Sequence, residues 1–378
     1  MLGKIHDVTR TTSRRIDLVT VTAYGDQMTP VAAVPPSPES PLVVRSRTPT
    51  PSAPLYRQVC SQLERLAMNA PLGDDAPLPP EVQLMARFGV SRGTLRRAVE
   101  ELVREGLLVI EPGRGTFVVQ STKVRWTVWN CLLDVAVPDS RFDRDLSRFV
   151  PDFAGREACD RFLWALPTYV AASTVFFAPD NSLESARGQA LADGKRIIVP
   201  TFGMRRGFVV LDGASINPGQ HALAATLDGM EKFGLRLDLD ALRAIGIVDL
   251  VITGAVAVTA RGLHFGGGDG YFDLEWAILR HCGLVTSRTL VSVIVHDCQV
   301  LDAEFRPGRH DAVADIVITP TAVLHCTPSL PKPEGIIWEE IRSMWNEDIS
   351  YVTELRAELA PDLFAGRPLT QRWQESGR

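Results

Sequence analysis

The chain has 378 residues, 45% of them hydrophobic and 22% charged, with a formal net charge of -5. That apolar share is enough for a sizeable core and excludes a wholly disordered or fibrous chain, while the mild acidity excludes a globally basic nucleic-acid coat. Six cysteines (Cys60, Cys131, Cys159, Cys282, Cys298 and Cys326) show no C-x-x-C spacing, which excludes a zinc ribbon or thioredoxin-type motif and predicts reduced thiols in a cytoplasmic protein.

Residues 1–52 are expected to be a disordered tail. Lys4 and Arg10 are followed by no apolar stretch, so no signal peptide is expected. From Thr29 to Pro54 the chain is dominated by Pro, Ser, Thr and Val, a composition that cannot offset its own ordering entropy. Nowhere does an uncharged apolar run reach the roughly 18 residues of a membrane helix.

Residues 53–121 carry a denser pattern. Leu55, Val59, Leu63 and Leu66 recur near helical spacing, and a Pro/Gly/Asp-rich connection leads to a second helix over Glu81 to Phe88. Gly89 predicts a turn and Ser91 an N-cap for a third helix, with Leu95, Ala98, Val99, Leu102 and Val103 on one face. Gly106 ends it. Two strand-like runs, Leu107–Ile110 and Thr116–Val119, flank a turn at Glu111 to Gly115. Helix, helix–turn–helix, hairpin is the order of a winged helix-turn-helix, an α+β domain.

Residues 122–330 alternate apolar runs with helical patterns, which predicts an α/β domain with a largely buried parallel sheet. Strands are expected at Thr174–Phe177, Arg196–Val199, Phe208–Leu211, Val248–Val258, Leu290–Val295 and Asp315–Ile318. Helices are expected at Arg156–Ala165, Ser182–Ala192, Gln220–Phe233 and Phe272–His281. Residues 331–378 read as a helical extension, with Ile337, Trp338, Ile341 and Trp345 sharing a face.

Charge is local. Arg87, Arg92, Arg96 and Arg97 fall between Met85 and Arg97 with no acid among them. Arg92 and Arg96 are i, i+4 neighbours opposite the apolar stripe, near the helix end that enters a major groove first. Ser91 and Thr94 add hydroxyls for phosphate, and Arg114 with Gly115 stands at the wing tip, suited to a minor groove or phosphate contact. These runs (Leu78-Pro-Pro-Glu81, Phe88-Gly-Val-Ser-Arg-Gly-Thr-Leu-Arg96, Glu101-Leu-Val-Arg-Glu-Gly-Leu107 and Gly113-Arg-Gly-Thr-Phe-Val118) resemble the DNA-binding domain of GntR-family transcriptional regulators. The resemblance implies DNA contacts at Ser91, Arg92, Thr94, Arg96, Arg97, Arg114 and Gly115, a homodimer, double-stranded operator DNA and a small-molecule effector. One departure is Pro80-Glu81-Val82, where the family usually has Ser-Glu-Arg. A single module touches few phosphates, so two linked modules are expected to bind far better.

In the second half, the run Gly262-Leu-His-Phe-Gly-Gly-Gly-Asp-Gly-Tyr-Phe-Asp-Leu-Glu275 joins a strand to a helix through bare backbone N–H groups, a phosphate or carboxylate cradle. The same run serves equally as a structural loop. His296-Asp297 and His310-Asp311 suit acid–base chemistry or a plain hydrogen-bonded unit. No His-x-x-x-His spacing exists, so no dedicated metal site is expected.

Residues from about 123 to 320 resemble the 5-formyltetrahydrofolate cyclo-ligase superfamily, in its cyclo-ligase-like branch. The carrying stretches are Arg148-Phe-Val-Pro-Asp-Phe-Ala-Gly155, Ala178-Pro-Asp180 with Arg187 and Gly194-Lys195, Asp249 to Val258, the glycine loop, Val295-His-Asp-Cys-Gln-Val300 and His310 to Pro320. The resemblance implies a three-layer α/β fold of the CoA-transferase-like type. It also implies a ligand site with Lys123, Arg125, His264, Gly266, Gly267, Gly268, Gly270, Tyr271 and Asp273, and ATP with Mg²⁺ if the domain is active. Where the family's loop has two cations, this chain has His264 and Gly267. Phosphoryl transfer depends on such cations, so the domain is expected to keep a pocket and sense a folate or pterin, a nucleotide or a thiamine-related metabolite. An active ATP-dependent cyclo-ligase fused to a DNA-binding domain is the alternative, and a domain that only dimerises is the third reading.

Overall fold

The computed structural model describes residues 54–73, 75–137, 150–267, 270–305, 307–328, 330–341 and 349–359. The expected tail, with Arg148, Gly268 and Trp345, lies outside the described residues.

α1 (Leu55–Asn69) buries Val59, Cys60, Leu63 and Ala67, one stripe at helical spacing. α2 (Glu81–Phe88) ends at Gly89, whose left-handed φ of 64° turns the chain. α3 (Arg92–Arg104) starts at Ser91, whose hydroxyl accepts the Thr94 N–H at 3.3 Å. It turns Leu95, Ala98 and Leu102 toward α1, and these form one core with Leu84, Leu107 and Leu108. β1 (Leu108–Glu111) and β2 (Gly115–Val118) pair antiparallel, Leu108 opposite Val118. The expected winged helix-turn-helix is complete.

α4 (Gln120–Val135) runs through the expected boundary at residues 121 and 122. The sequence reading marks no helix there. Val124, Val128 and Leu132, four apart, are buried against Val256, Ala257 and Leu301 of the following domain. β3 (Ala136–Val137) then pairs with β4 (Asp152–Phe153).

The second domain continues with α5 (Arg156–Ala165), α6 (Pro167–Ala171), β5 (Thr174–Phe177), α7 (Glu184–Ala192), β6 (Arg196–Pro200), β7 (Phe208–Asp212), α8 (His221–Ala224) and α9 (Leu227–Phe233). β8 (Leu235–Arg236), α10 (Leu239–Ala244), β9 (Leu250–Gly254), β10 (Ala257–Thr259), β11 (His264–Phe265) and α11 (Tyr271–His281) follow. β12 (Leu290–Ile294), β13 (Val300–Leu301), β14 (Ile316–Ile318), β15 (Val323–His325) and α12 (Ser350–Leu359) complete it. Among the described residues the main sheet has eight strands in the order β15-β14-β12-β9-β5-β6-β7-β8. The five from β14 to β6 are parallel, and β15, β7 and β8 join antiparallel. The sheet is therefore mixed, where a parallel one is expected from the sequence. The short link from Pro200 to Phe208 leaves no room for the crossover that a parallel β7 would need.

Alternation along each strand makes the layers. In β5, Phe176 joins Ile198, Val251 and Val293 on one face. Val175 and Phe177 join Ile197, Ile252 and Ile294 on the other. Helices cover both faces, the three-layer arrangement expected.

Three sequence expectations change in detail. Val248–Val258 divides into β9 and β10, and β10 leaves the main sheet to pair with β11 and β13. Gln220–Phe233 breaks at Thr226, whose hydroxyl accepts the Gly229 N–H at 2.9 Å and starts α9. The helix expected on Ile337, Trp338 and Ile341 is instead extended chain with one short 3-10 turn at Trp338–Glu340. Pro331 and Pro333 disfavour a helix ahead of it, and Trp276 Nε1 donates to the Pro333 carbonyl at 2.9 Å. The packing helix comes later, as α12, with Tyr351, Val352 and Leu355 buried.

Candidate functional site

On the winged helix, Arg92 Nε donates to Glu81 Oε2 at 2.8 Å and Arg96 Nε to Glu81 Oε1 at 3.0 Å. Their side chains remain 63% and 58% exposed. One carboxylate on α2 thus spreads two guanidinium groups across the outer face of α3. These hydrogen bonds, Arg92 first, hold the Glu81 carboxyl below its ordinary pKa. Val82 beside it, where the family usually has arginine, is 74% exposed. Arg97 turns the other way and stacks on the Tyr56 ring at 4.0 Å, so the structure does not bring it to the Arg92/Arg96 face. Arg114 pairs with Glu111 beside the Phe117 ring, and Gly115 sits against Pro77.

The cavity of the second domain holds about 230 Å³. It opens at the carboxyl ends of β5 and β9, where Ala178, Pro179 and Asp180 meet Thr253 and Gly254. β6 lies on one side of β5 and β9 on the other, so the chain changes direction between these two strands. Clefts of α/β sheets form at such points. Six of the expected ligand positions line it: His264, Gly266, Gly267, Gly270, Tyr271 and Asp273. Gly270, at a left-handed φ of 70°, caps the N-terminus of α11.

His264 Nε2 donates to the Gly254 carbonyl at 2.9 Å. Burial pushes its pKa down, which favours the neutral ring over the cation the family has there. Asp273 Oδ1 accepts the Ala312 N–H at 2.8 Å.

Lys123 and Arg125 are not among the cavity walls. Lys123 is 1% exposed on α4, and its ammonium donates to the carbonyls of Ala70 and Pro71, the latter at 2.8 Å. Arg125 donates to Thr122 Oγ1 at 2.8 Å. Both follow from the helix the sequence reading missed. Arg187 and Lys195 are likewise buried and spend their donors on main-chain carbonyls: Ala178, Asp180 and Ala225 for Arg187, Tyr169 and Ala172 for Lys195.

The His-Asp pairs are structural units. His296 Nδ1 accepts the Cys298 N–H at 3.2 Å, while Asp311 Oδ2 accepts the Gly308 N–H at 2.8 Å.

Three walls escaped the sequence reading as site residues: Asp180, Glu275 and Arg205. Asp180 accepts the Gly254 N–H at 2.9 Å, and burial raises its pKa to about 6. Glu275 is 3% exposed, and burial raises its pKa further. Arg205 follows Met204, a buried residue in the left-handed region with φ of 54°. The position of Asp180 just past the end of β5 was the available signal, since strand ends of parallel sheets carry site residues.

This set does not fit ATP and Mg²⁺ used for phosphoryl transfer. The glycine loop and the α11 N-terminus suit one anionic group, but among the described walls Arg205 is the one permanent cation. No group of His, Cys, Asp and Glu side chains among the described residues is arranged to hold a metal ion.

The two domains meet beside the cavity. Phe265, which follows His264, packs with Phe305, Leu72, Val124 and Val128 in one apolar cluster. Leu72 and Gly73 belong to the connection between α1 and α2. Gly73, at φ 77°, lies so close to the Glu304 carbonyl that a Cβ would strike it, and its N–H donates to Gln120 Oε1 at 3.2 Å.

Comparison with known families matches residues 55–118 to bacterial regulatory proteins of the gntR family and residues 123–320 to the 5-formyltetrahydrofolate cyclo-ligase family. A methenyltetrahydrofolate synthase domain-containing protein of Danio rerio is 34% identical over 241 residues, 62% of this chain and 60% of that protein. Its Mus musculus counterpart is 32% identical over 261 residues, 67% of each chain. The chain spans about three fifths of the first of these relatives. The HTH-type transcriptional repressor NagR of Bacillus subtilis is 48% identical over 65 residues, 17% of this chain and 27% of that one. No described helix is long and apolar enough to cross a membrane.

Proposed function

Because the chain belongs to the 5-formyltetrahydrofolate cyclo-ligase family and carries a gntR-family DNA-binding domain ahead of that domain, we propose that it is a transcriptional regulator whose cyclo-ligase-like domain has become the sensor of a small metabolite. It acts as a homodimer on double-stranded operator DNA in the cytoplasm. Arg92, Arg96 and Arg114, with Ser91, Thr94 and Gly115, form the DNA-reading face. The cavity beside His264, Gly266, Gly267, Gly270, Tyr271 and Asp273 takes the effector, with folates or pterins, nucleotides and thiamine-related compounds as the candidates.

One observation carries the sensing half of this reading. β11 contributes His264 to the cavity and the next residue, Phe265, to the apolar cluster that holds Leu72 of the DNA-binding domain. A ligand that prefers one position of β11 therefore prefers one seating of the winged helix, and differential affinity is all that a population shift requires. The cation positions support it: burial favours a neutral His264, which Gly254 holds, and Lys123 is committed to the connection between α1 and α2.

The test is a thermal-shift panel of folates, nucleotides and thiamine precursors on the full chain, followed by DNA binding with and without each stabilising compound. A compound that raises Tm and changes DNA affinity is the expected result. Formation of methenyltetrahydrofolate from 5-formyltetrahydrofolate, ATP and Mg²⁺ at ordinary enzyme rates overturns the sensor reading in favour of a working ligase.

A further inference from the structure

We propose that Asp180 and Glu275 form an acidic clamp at the inner end of the cavity for the cationic amidine-type edge of a small flat ligand, leaving Arg205 and the glycine loop to take an anionic group at the mouth. The proposal rests on the reading of this cavity as the effector site and gives the effector its chemical class.

Glu275 lies in the first turns of α11, is 3% exposed and yet lines the cavity. Its carboxyl group has no hydrogen-bond or ion-pair partner among the described residues. The charged neighbours that act on it, Asp180 and Asp273, are acids, and they add to burial in favouring its proton. A buried carboxyl without a partner weakens a fold, and nothing in the described packing uses this one. Asp180 is tied at one oxygen to the Gly254 N–H. Beside it Ser182 Oγ is wholly buried and makes no hydrogen bond. A Cβ on Gly254 would come within 2.9 Å of Asp180 Oδ2 and 3.2 Å of Ser182 Oγ. The bare Cα keeps that space open, and three polar side chains there lack a full set of partners.

The missing partner is a donor with positive charge. A metal ion is a poor match, because no group of described His, Cys, Asp and Glu side chains is arranged to ligate one. An amidinium presents two parallel N–H groups to a carboxylate, and its spread charge is less costly to strip of water than an ammonium. The remaining walls suit a flat ring, with Val150, Ala178, Leu227 and Phe272 apolar and Phe202, 57% exposed, at the mouth. Arg205 has no ion-pair partner among the described residues. The cavity is therefore acidic inside and basic outside, and an aminated heterocycle bearing a phosphate or carboxylate matches both ends.

A cation entering the clamp favours the charged forms of both acids over the protonated forms that burial favours. Among the described residues, the other titratable and charged groups around the clamp are Asp273, His264, Tyr271, Arg205 and, behind Asp180, Arg187. Burial favours the neutral form of His264. Binding is thus expected to release a proton and to tighten as pH rises through about 6, the value of Asp180.

The test is calorimetry on the full chain with benzamidine, with benzamide as the neutral isostere and with inorganic phosphate, in two buffers of different protonation heat. Benzamidine is expected to bind with proton release, and benzamide about tenfold more weakly or less well still. Glu275→Gln, which keeps the shape, is expected to cost benzamidine about tenfold or more, and Asp180→Asn to weaken it as well, while both variants melt cooperatively. Arg205→Ala is expected to leave benzamidine unchanged and to weaken phosphate. The clamp is overturned if benzamidine fails to bind, if benzamide equals it, if Glu275→Gln binds it as wild type does, or if Mg²⁺ and not benzamidine gives the Glu275-dependent signal. None of these readouts involves DNA, so a failed clamp and a failed regulator remain separate results.

Discussion

The ring of Phe265 meets the ring of Phe305 edge to face, with centroids 4.8 Å apart. Phe265 stands one residue from the cavity wall, and Phe305 one residue from the carbonyl that covers Gly73. This pair lies in the apolar cluster that also holds Leu72 of the DNA-binding domain, and so links the proposed effector site to it. Phe305→Ala is expected to cost about 1 kcal/mol for the aromatic contact, to preserve DNA affinity, and to reduce the ligand's effect on that affinity about tenfold. Fluorescence anisotropy of labelled DNA, titrated with and without ligand, measures both quantities. An unchanged ligand effect contradicts the link.

Gly73→Ala tests the same junction from the other side. The substitution needs a left-handed backbone and pushes a methyl group into the Glu304 carbonyl. Lys123→Ala removes the ammonium that the Ala70 and Pro71 carbonyls share. Leaving such buried acceptors unpaired costs about 1–3 kcal/mol. Both variants are expected to expose the connection between α1 and α2 to limited proteolysis, while the isolated fold of the α/β domain, followed by its tryptophan emission, persists.

Glu81 holds both Arg92 and Arg96, and Val82 next to it is exposed. Glu81→Gln releases the two guanidinium groups and removes a negative charge from the DNA-facing side. It is expected to raise DNA affinity at low salt. Val82→Arg restores a cation at an exposed position and is expected to raise affinity further, with the salt slope of log K steeper by about one unit. A filter-binding series over ionic strength reads both effects.

The buried acids set a pH dependence. A carboxyl whose pKa is higher in the fold than in the unfolded chain stabilises the fold below its unfolded value, near 4. That advantage disappears as pH rises through the folded value, about 6 for Asp180. Burial also raises Glu275 well above its ordinary value, and its contribution is lost in the same direction as pH rises. Asp180→Asn and Glu275→Gln are therefore expected to melt with the wild type near pH 4 and above it at pH 8. Scanning calorimetry across that range checks the sign. A lower Tm for Glu275→Gln at pH 8 contradicts it.

Much of this was legible in the sequence, for identifiable reasons. Ser91, Gly89 and Gly106 punctuate the winged helix, and its apolar stripe has a clean helical period, so its elements fall where expected. β5, β6 and β12 are short continuous apolar runs between helices, and they too fall in place. α4 was missed because polar and apolar residues alternate around it without a strong stripe. With the helix missed, the phase of Lys123 was unavailable, and a buried structural lysine read as a ligand cation. Asp180 and Glu275 stood inside quoted motifs, but a one-dimensional pattern does not tell a buried carboxyl from a solvated one. Their burial depends on the crossing from β6 back over β5 to β9, a tertiary event with no local signal.

The central claim is that the exposed Arg92/Arg96 face reads DNA. Its most direct measurement is selection of binding sites from random duplex DNA by the purified full chain, followed by affinities for the selected sequence at fixed salt. The wild type is expected to enrich a near-palindromic site, and the Arg92→Ala/Arg96→Ala double variant to bind it at least about a hundredfold more weakly. If the wild type enriches no sequence, or the double variant binds the selected site equally well, the chain is not the regulator described.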